Sequence, residues 1–250
     1  MFISSEKRNW HTSVKLKYLG NQQDLSKNIV LDSISRKESR KNFNTSALRF
    51  NGLDIWNAYE FSFLLKGKPK ILILEISIPA NSKNTIESKS MKLFLNSFFD
   101  KNFLSQKEVL NILTKKISQK CDSKVKIISK SSFKTFENSI YKNKSGLFVY
   151  KGFRSICPVT SQPDWGNIYI YSKTDTLNEK EIFKFLFSLR NHDGFHEHCI
   201  EKIFLHIKHS HSVDHLEVCG RFLRRGGIDI NPIRSTHKKL FFNNFRELNQ

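Results

Sequence analysis

Residues 155–166 contain the side chains best suited to covalent chemistry. The segment reads Ser-Ile-Cys-Pro-Val-Thr-Ser-Gln-Pro-Asp-Trp-Gly, and its two prolines and one glycine restrict the backbone just ahead of a predicted strand. Cys157 lies seven residues before Asp164 in this segment. A thiol beside a carboxylic acid can act as a nucleophile and proton-donor pair. The alternative interpretation is a buried cysteine in a proline-rich turn.

A second segment, residues 189–199, concentrates histidine and acidic residues. His196 and His198 could ligate zinc together with one of the cysteines. However, side chains two residues apart at the start of a helix point to different faces. Glu197 either complements the positive end of that helix or accepts hydrogen bonds from the N–H groups of a bound ring. The pattern therefore argues against a metal centre and leaves both interpretations of Glu197 open.

Two further segments combine charge with structural signals. Residues 86–98, Ile-Glu-Ser-Lys-Ser-Met-Lys-Leu-Phe-Leu-Asn-Ser-Phe, have the apolar spacing of an amphipathic helix. Residues 224–232, Arg-Arg-Gly-Gly-Ile-Asp-Ile-Asn-Pro, place two arginines beside two glycines and could bind a phosphate group. Each segment also has a purely structural interpretation, as a capped helix and as a solvated basic turn. Neither defines a function by itself.

Composition and missing motifs argue against several classes of protein. The sequence has no Gly-x-Gly-x-x-Gly and no P-loop motif, so a Rossmann or P-loop nucleotide site is not supported. Its four scattered cysteines include no Cys-x-x-Cys pair. Without a long apolar stretch or a signal peptide, a cytoplasmic protein is expected. The net charge of +19 lies mostly outside residues 51–100 and 151–200, which indicates a solvated basic surface rather than a nucleic-acid site.

The elements that must hold these segments follow a similar order in both halves of the chain. The predicted strands are 59–65, 70–76, 124–129, 166–171 and 216–223, and the predicted helices are 88–99, 105–120, 178–190 and 195–208. Residues 1–50 are polar and are predicted to be loop and edge structure. The repeated order of strands, two helices and a strand favours a duplicated module. It predicts an antiparallel sheet with helices on one face.

Together, the four segments resemble the NADPH-dependent 7-cyano-7-deazaguanine reductases, the nitrile reductases of queuosine biosynthesis. Residues 87–97 resemble the signature that separates these enzymes from GTP cyclohydrolases of the same tunnelling fold. The resemblance is clearest over residues 55–99 and 151–235, and it is to the long, two-module form. It implies an α+β fold of two tandem tunnelling-fold modules, each an antiparallel sheet with helices on one face. The implied boundaries are 1–54 for the N-terminal segment of the first module, 55–130 for the first module with the Glu-Ser-Lys signature, and 131–250 for the second module with the catalytic cysteine.

The resemblance also implies a role for each candidate site residue. Cys157 is expected to be the covalent nucleophile, and Asp164 the proton donor. Substrate contacts are expected from Ile86, Glu87, Ser88, His196 and Glu197, and NADPH contacts from Ser88, Lys89, Arg225 and Gly226. Two NADPH molecules are consumed per nitrile, and no metal is required. The implied protein is a cytoplasmic homodimer that binds the small 7-deazaguanine nitrile and has no direct contact with nucleic acid or membrane.

Two other functions stay open on the sequence alone. A zinc-dependent pterin-type cyclohydrolase would share the fold, but the Glu-Ser-Lys signature and the lack of a coherent cysteine and histidine set argue against it. A basic RNA-binding module would use the net charge. It is disfavoured because the motif-bearing blocks are nearly neutral and lack the interleaved basic and aromatic residues of an RNA-binding platform.

Overall fold

The computed structural model describes residues 30–43, 50–139, 141, 144–173 and 177–250. In chain order, these residues form the following strands and helices: β1 (Ser33–Ser35), α1 (Arg36–Arg40), β2 (Asn51–Leu65), β3 (Lys68–Pro79), β4 (Asn84–Ile86), α2 (Ser88–Asn96), β5 (Asn102–Phe103), α3 (Gln106–Cys121), β6 (Lys126–Lys130), β7 (Lys134–Thr135), β8 (Leu147–Ile156), β9 (Pro163–Ser172), α4 (Glu179–Ser188), α5 (His196–Ser210), β10 (Leu216–Phe222), β11 (Ile228–Ser235) and β12 (Phe245–Arg246). A 3-10 turn at Leu189–Asn191 follows α4.

The hairpin of β2 and β3 confirms the first two predicted strands and extends both. Its turn consists of Lys66 and Gly67, with φ angles of 52° and 79°. Two successive positive φ angles give the hairpin turn that matches the right-handed twist of the flanking strands. The two strands pair in antiparallel register from Leu65 and Lys68 to Leu53 and Pro79. This hairpin supplies the centre and one side of the main sheet.

The main sheet has the strand order β6-β3-β2-β11-β10-β9-β8, and each of these neighbouring pairs is antiparallel. The short β5 adds a parallel pair with β2. The predicted α+β class with an antiparallel sheet is therefore confirmed. Residues 51–58 of β2 pair with residues 228–235 of β11, so strands from both halves of the chain share one sheet. The division into modules at 55–130 and 131–250 stays a prediction.

Two of these strands were not predicted from the sequence. β11 contains Asp229, Asn231 and Pro232, residue types that are rare in central strands. β8 is interrupted by Gly152, whose φ is 72° beside an irregularity in its pairing with β9. In both strands, polar or breaker residues hide the alternation on which strand prediction depends.

The four longer helices pack on one face of the sheet. Side chains alternate along each strand, so Trp56 contacts the cluster around α2 and α3, whereas its neighbour Ile55 lies in a cluster on the reverse face. A second cluster joins α4 and α5 to Ile168 and Val218. The reverse face is covered by Phe242 and other aromatic residues that follow β11 and precede β8. No helix within the described ranges is both long and apolar enough to span a membrane.

The segment 30–43 is more ordered than the predicted loop and edge structure. Strand β1 pairs with β4, with Ile34 opposite Thr85. The backbone N–H of Glu87 donates to the Asp32 carbonyl at 2.8 Å, and the Asp32 N–H donates to the Ser90 hydroxyl at 3.0 Å. These bonds fix the start of α2 against β1. Residues 1–29 and 44–49 of the same prediction lie outside the described residues.

Candidate active site

A cavity of about 200 Å³ opens where β4, the start of α2, the start of α5 and the loop after β8 converge. Nine of the ten predicted site residues line it: Ile86, Glu87, Ser88, Lys89, Cys157, Asp164, His196, Glu197 and Arg225. The tenth, Gly226, lies beside the cavity-lining Lys92, since a Cβ at Gly226 would be 3.3 Å from the Lys92 Cδ. Side chains from both halves of the chain therefore meet in one place.

The loop after β8 presents Cys157 in a closed turn. The Cys157 N–H donates to the Gln162 carbonyl at 2.9 Å, and the Ser161 N–H donates to the Cys157 carbonyl at 3.0 Å. Cys157 is partly buried, and its thiol interacts with the Arg225 guanidinium and lies in the field of Lys92. The loop thus holds the thiol at the cavity, next to two cationic side chains.

Asp164 lies on β9 and not in the loop that the sequence indicated, because β9 begins already at Pro163. Its Oδ1 accepts from the Arg225 Nη1 at 2.6 Å, and its Oδ2 is 3.4 Å from the His196 Nε2. Burial raises the pKa of Asp164, but the hydrogen bonds and charges of His196 and Arg225 outweigh burial and hold this pKa below its ordinary value. The carboxyl group is therefore ionised in this arrangement and must gain a proton before it can donate one.

His196 has a fixed ring position next to Asp164. Its imidazole stacks on the Phe222 ring with 3.9 Å between the centroids and an interplanar angle of 2°. Phe222 is itself fully buried under α5. The imidazole edge that carries Nε2 therefore faces the Asp164 carboxylate and the cavity.

Two buried glutamates line the same cavity. Glu87 caps α2, since its carboxylate accepts the backbone N–H of Lys89 at 2.8 Å and that of Ser90 at 2.7 Å. The capped-helix interpretation of this segment is therefore correct, and it holds together with the cavity-lining position. Glu197, in the first turn of α5, accepts from the Thr85 hydroxyl at 3.2 Å. Both carboxylates have lone pairs left for the N–H groups of a ligand.

Cationic side chains gather at one side of the cavity. Lys89 and Lys92 lie on the same face of α2, and Arg225 approaches them from the turn before β11. Burial and then the Arg225 charge lower the pKa of Lys92. Lys92 was missed from the sequence, although its spacing of three residues from Lys89 carries the signal. The donor set of two ammonium groups, a guanidinium and the Ser88 hydroxyl suits the phosphates of a dinucleotide.

The residues proposed for zinc do not converge. His198 stacks on Phe43, with 4.5 Å between the ring centroids, whereas His196 stacks on Phe222. Cys199 is fully buried, and burial raises the pKa of its thiol to about 12. Within the part of the chain that the structure describes, no group of three potential metal ligands is close enough to hold an ion. The cyclohydrolase alternative has no ligand set in these ranges.

Comparisons with known proteins identify the family. A family model described as "Nitrile reductase, 7-cyano-7-deazaguanine-reductase N-term" matches residues 22–129, and a model described as "QueF-like protein" matches residues 163–247. Proteins named NADPH-dependent 7-cyano-7-deazaguanine reductase from Burkholderia orbicola (strain MC0-3) and Desulfotalea psychrophila (strain LSv54) are each 36% identical to this chain. The alignments cover 82% and 84% of this chain and 87% and 88% of the two relatives. The chain belongs to the 7-cyano-7-deazaguanine reductase family.

Family membership confirms the resemblance drawn from the four sequence segments. The Glu87 signature falls in the first matched range, and Asp164, His196, Glu197 and Arg225 fall in the second. Cys157 lies in the stretch between the two ranges. A solved structure of the archaeosine synthase QueF-Like in the apo form aligns with 39% of this chain and 98% of its own, with a TM-score of 0.34 and 15% identity. That likeness is too distant to bear on the fold of this reductase-family chain.

Proposed function

We propose that this chain reduces the nitrile of 7-cyano-7-deazaguanine to an aminomethyl group through a covalent thioimide on Cys157. The observation that carries the proposal is the single cavity lined by Cys157, Asp164, Glu87 and Glu197. It combines a nucleophile and a proton carrier with two carboxylates suited to a ring rich in N–H donors. A nitrile carbon is electrophilic but resists direct hydride attack, so covalent capture by a thiolate is useful.

The capture step moves one proton through Asp164. Asp164 is ionised at the start, so it first takes the proton of the Cys157 thiol, and the thiolate then attacks the nitrile carbon. One C–S bond forms and one C–N π bond breaks. The electron pair goes to the nitrile nitrogen, which takes the proton from Asp164. The product is the neutral thioimide, and Asp164 returns to its ionised form beside Arg225 and His196.

Reduction then returns the enzyme to its starting state. When bound, NADPH supplies the hydride, and two molecules are consumed per nitrile. When the captured carbon has gained the first hydride, its nitrogen takes one proton from solvent. The C–S bond then breaks, and the Cys157 sulfur leaves with the bonding pair and takes up the proton that the nitrogen gives up, which yields a neutral imine and the thiol. When the imine carbon has gained the second hydride, the nitrogen takes a second proton from solvent and becomes an amine. Lys89, Lys92 and Arg225 are proposed to bind the phosphates of the dinucleotide during both steps.

The two glutamates are proposed to orient the ring. A 7-deazaguanine presents ring and exocyclic N–H donors along one edge. An ionised carboxylate suits this edge because both of its oxygens accept hydrogen bonds and neither donates one. Glu197 lies in the first turn of α5, and the carboxylate of Glu87 is held in place by backbone N–H groups of α2. His196 adds a ring fixed by Phe222. Glu87, His196 and Glu197 line a cavity within one chain. Assembly as a homodimer stays a prediction.

The direct test is an assay of NADPH oxidation with 7-cyano-7-deazaguanine, with the product identified by mass. We expect two NADPH to be consumed for each aminomethyl product and no change when a chelator is present. GTP with added zinc serves as the matched alternative substrate. Ring opening of GTP without any nitrile reduction would replace the proposal with the cyclohydrolase function.

Replacing Arg225 with alanine is expected to have two separable effects. The KM for NADPH should rise about 10- to 100-fold, because a charged hydrogen bond to a phosphate is worth about 1.5–3 kcal/mol. Adduct formation with the nitrile should persist, but the pH below which it slows should be higher than in the native chain. In the variant, Asp164 loses a cationic partner that lowers its pKa, so this carboxylate takes up a proton at a higher pH.

The control for this substitution is Arg224→Ala. Arg224 precedes Arg225 in the turn but pairs with the exposed Glu60 at 3.0 Å. It should leave both readouts nearly unchanged, as is usual for an exposed ion pair. Equal effects of the two substitutions would contradict the roles proposed for Arg225.

A further inference from the structure

The Arg225 guanidinium joins the turn before β11 to residues 157–162, here called the Cys157 turn. Its Nη1 donates to the Asp164 Oδ1 at 2.6 Å. Its Nη2 donates to the Thr160 Oγ1 at 3.1 Å and to the Gln162 Oε1 at 2.5 Å. Thr160 and Gln162 both lie between β8 and β9. Arg225 therefore contacts the Cys157 turn at two points in addition to its ion pair with Asp164.

Gln162 connects this contact to the backbone of the nucleophile. Its carbonyl accepts the Cys157 N–H at 2.9 Å, while its side-chain oxygen accepts from Arg225. The Ser161 N–H closes the same turn by donating to the Cys157 carbonyl at 3.0 Å. The residue that holds the Cys157 backbone is therefore itself held by the guanidinium.

The two hydrogens of Nη2 decide how Arg225 can bind a phosphate. A guanidinium has five N–H donors in a rigid fork, and it binds a phosphate best through two neighbouring donors at once. The neighbouring pairs are Nη2 with Nη1 and Nη2 with Nε, so each of them uses a hydrogen of Nη2. This atom already has two acceptors, Thr160 and Gln162. A phosphate bound in this way must therefore displace at least one of them.

The bonds to Thr160 and Gln162 are the ones expected to break. Both residues are exposed, so water can replace the guanidinium at their oxygen atoms. The Asp164 side chain is only 5% exposed, and its bond to Nη1 joins two opposite charges. A buried charge without its partner is costly, whereas an exposed neutral acceptor loses little. The phosphate is therefore expected on Nη2, with the pair of Arg225 and Asp164 intact.

We propose that Gln162 and Thr160 are positioning residues: they hold the Cys157 turn against Arg225 during nitrile capture, and a phosphate of NADPH takes their place on Nη2. The inference rests on the proposed function, because it assumes that Arg225 binds this phosphate. Cofactor binding and the position of the Cys157 turn are then coupled. Because coupling between two binding events is reciprocal, a change that releases the turn must also strengthen cofactor binding.

Replacing Gln162 with methionine should therefore affect capture and cofactor binding in opposite senses. Methionine has a similar size and keeps the carbonyl that accepts from Cys157, but it has no side-chain oxygen for Arg225. Capture should slow about 2- to 10-fold, because the turn is held less firmly. The Kd for the cofactor should fall about 2- to 10-fold, because one bond fewer has to break. Thr160→Val should act in the same direction, whereas general damage to the site would slow capture and raise the Kd.

The experiment uses the full chain and NADP⁺, which has the phosphates of NADPH but no hydride to transfer. Calorimetry gives the Kd of NADP⁺. Stopped-flow measurement gives the rate of adduct formation at saturating nitrile, with and without NADP⁺. The native chain is compared with Gln162→Met, Thr160→Val and the variant that combines both. Ser161→Ala is the matched control, because Ser161 lies between the two residues and contacts Cys157 through its backbone, which alanine keeps.

We expect saturating NADP⁺ to slow capture about 2- to 10-fold in the native chain and in Ser161→Ala. The effect should be smaller in each single variant and absent in the combined variant. A Kd for NADP⁺ that stays unchanged or rises in Gln162→Met would overturn the inference. Equal slowing by NADP⁺ in the native chain and the combined variant would also overturn it, because NADP⁺ would then simply obstruct the nitrile.

Other outcomes would contradict the proposed function instead. One is a native chain that forms no adduct with the nitrile under any of these conditions. The other is a Kd for NADP⁺ that Arg225→Ala leaves unchanged, since Arg225 would then not bind the phosphate. Arg225→Ala cannot test the role of the turn, because it removes the phosphate contact and the contacts to Thr160 and Gln162 together.

Discussion

A Cys157→Ala variant is expected to bind 7-cyano-7-deazaguanine, form no covalent adduct and lose at least about 10⁴-fold in turnover. Removing the nucleophile of a covalent mechanism leaves only binding and orientation, and losses of this size or larger follow in other enzymes. Intact-mass spectrometry without NADPH should show the mass of the nitrile added to the native chain and none added to the variant. Peptide mapping should place the adduct on the peptide that contains Cys157.

Cys219→Ala is the control for the nucleophile. Cys219 lies in the cluster on the reverse face of the sheet, and burial raises the pKa of its thiol to about 11. A thiol of this kind is neither accessible nor ionised near neutral pH. The control should form the adduct at the native rate. An adduct on Cys199 or Cys219, or turnover by Cys157→Ala, would remove the basis for the thioimide.

An Asp164→Asn variant should bind the nitrile with little change but form the adduct about 10²–10⁴-fold more slowly. Asparagine keeps a similar shape and can still accept from Arg225, but it can neither take the thiol proton nor return it to the nitrile nitrogen. Because a base from solvent must take the thiol proton in the variant, its rate of adduct formation should rise as the pH is raised. The native rate should be flat over the same range, since the pKa of Asp164 lies below it.

Glu60→Gln is the matched control for this charge change. Glu60 pairs with Arg224 on the surface as Asp164 pairs with Arg225 in the cavity. Exposed ion pairs contribute little, so the rate should stay within about twofold of the native value. Stopped-flow measurement of adduct formation separates these cases. A native-like rate in Asp164→Asn would require a different proton carrier, and His196 would be the first group to test.

Local signals in the sequence are sufficient to predict most of the helices. Ser105 and Asn178 cap α3 and α4 through their side chains, as such residues do at helix starts. The predicted helix 88–99 is too long, since α2 ends at Asn96 and a turn follows. The roles of the side chains that line the cavity were predicted from the resemblance of four segments to the reductase family. Taken alone, each segment also had an ordinary structural interpretation, as the cap that Glu87 provides for α2 illustrates.

Contacts between residues far apart in the chain could not be predicted from the sequence. Asp229 in β11 is buried because Asn57 donates to it at 2.8 Å from a strand 172 residues away in the sequence. Arg225 likewise reaches Asp164 across 61 residues. Neither partner is visible in a local window, so β11 was missed, and Arg225 was assigned to NADPH alone. That the pKa of Asp164 lies below its ordinary value despite burial follows from its contacts with His196 and Arg225.

The pairing of β2 with β11 has a consequence for when the chain becomes reactive. These strands can meet only after nearly the whole sequence has been synthesised, and closing so long a loop is entropically costly and slow. Glu87 and Lys92 belong to the part that emerges first, whereas Cys157 and Arg225 belong to the part that emerges last. A nascent chain therefore contains Cys157 and Lys92 before it contains Arg225. The cavity that brings Cys157 together with Asp164, Lys92 and Arg225 is assembled only when folding is complete.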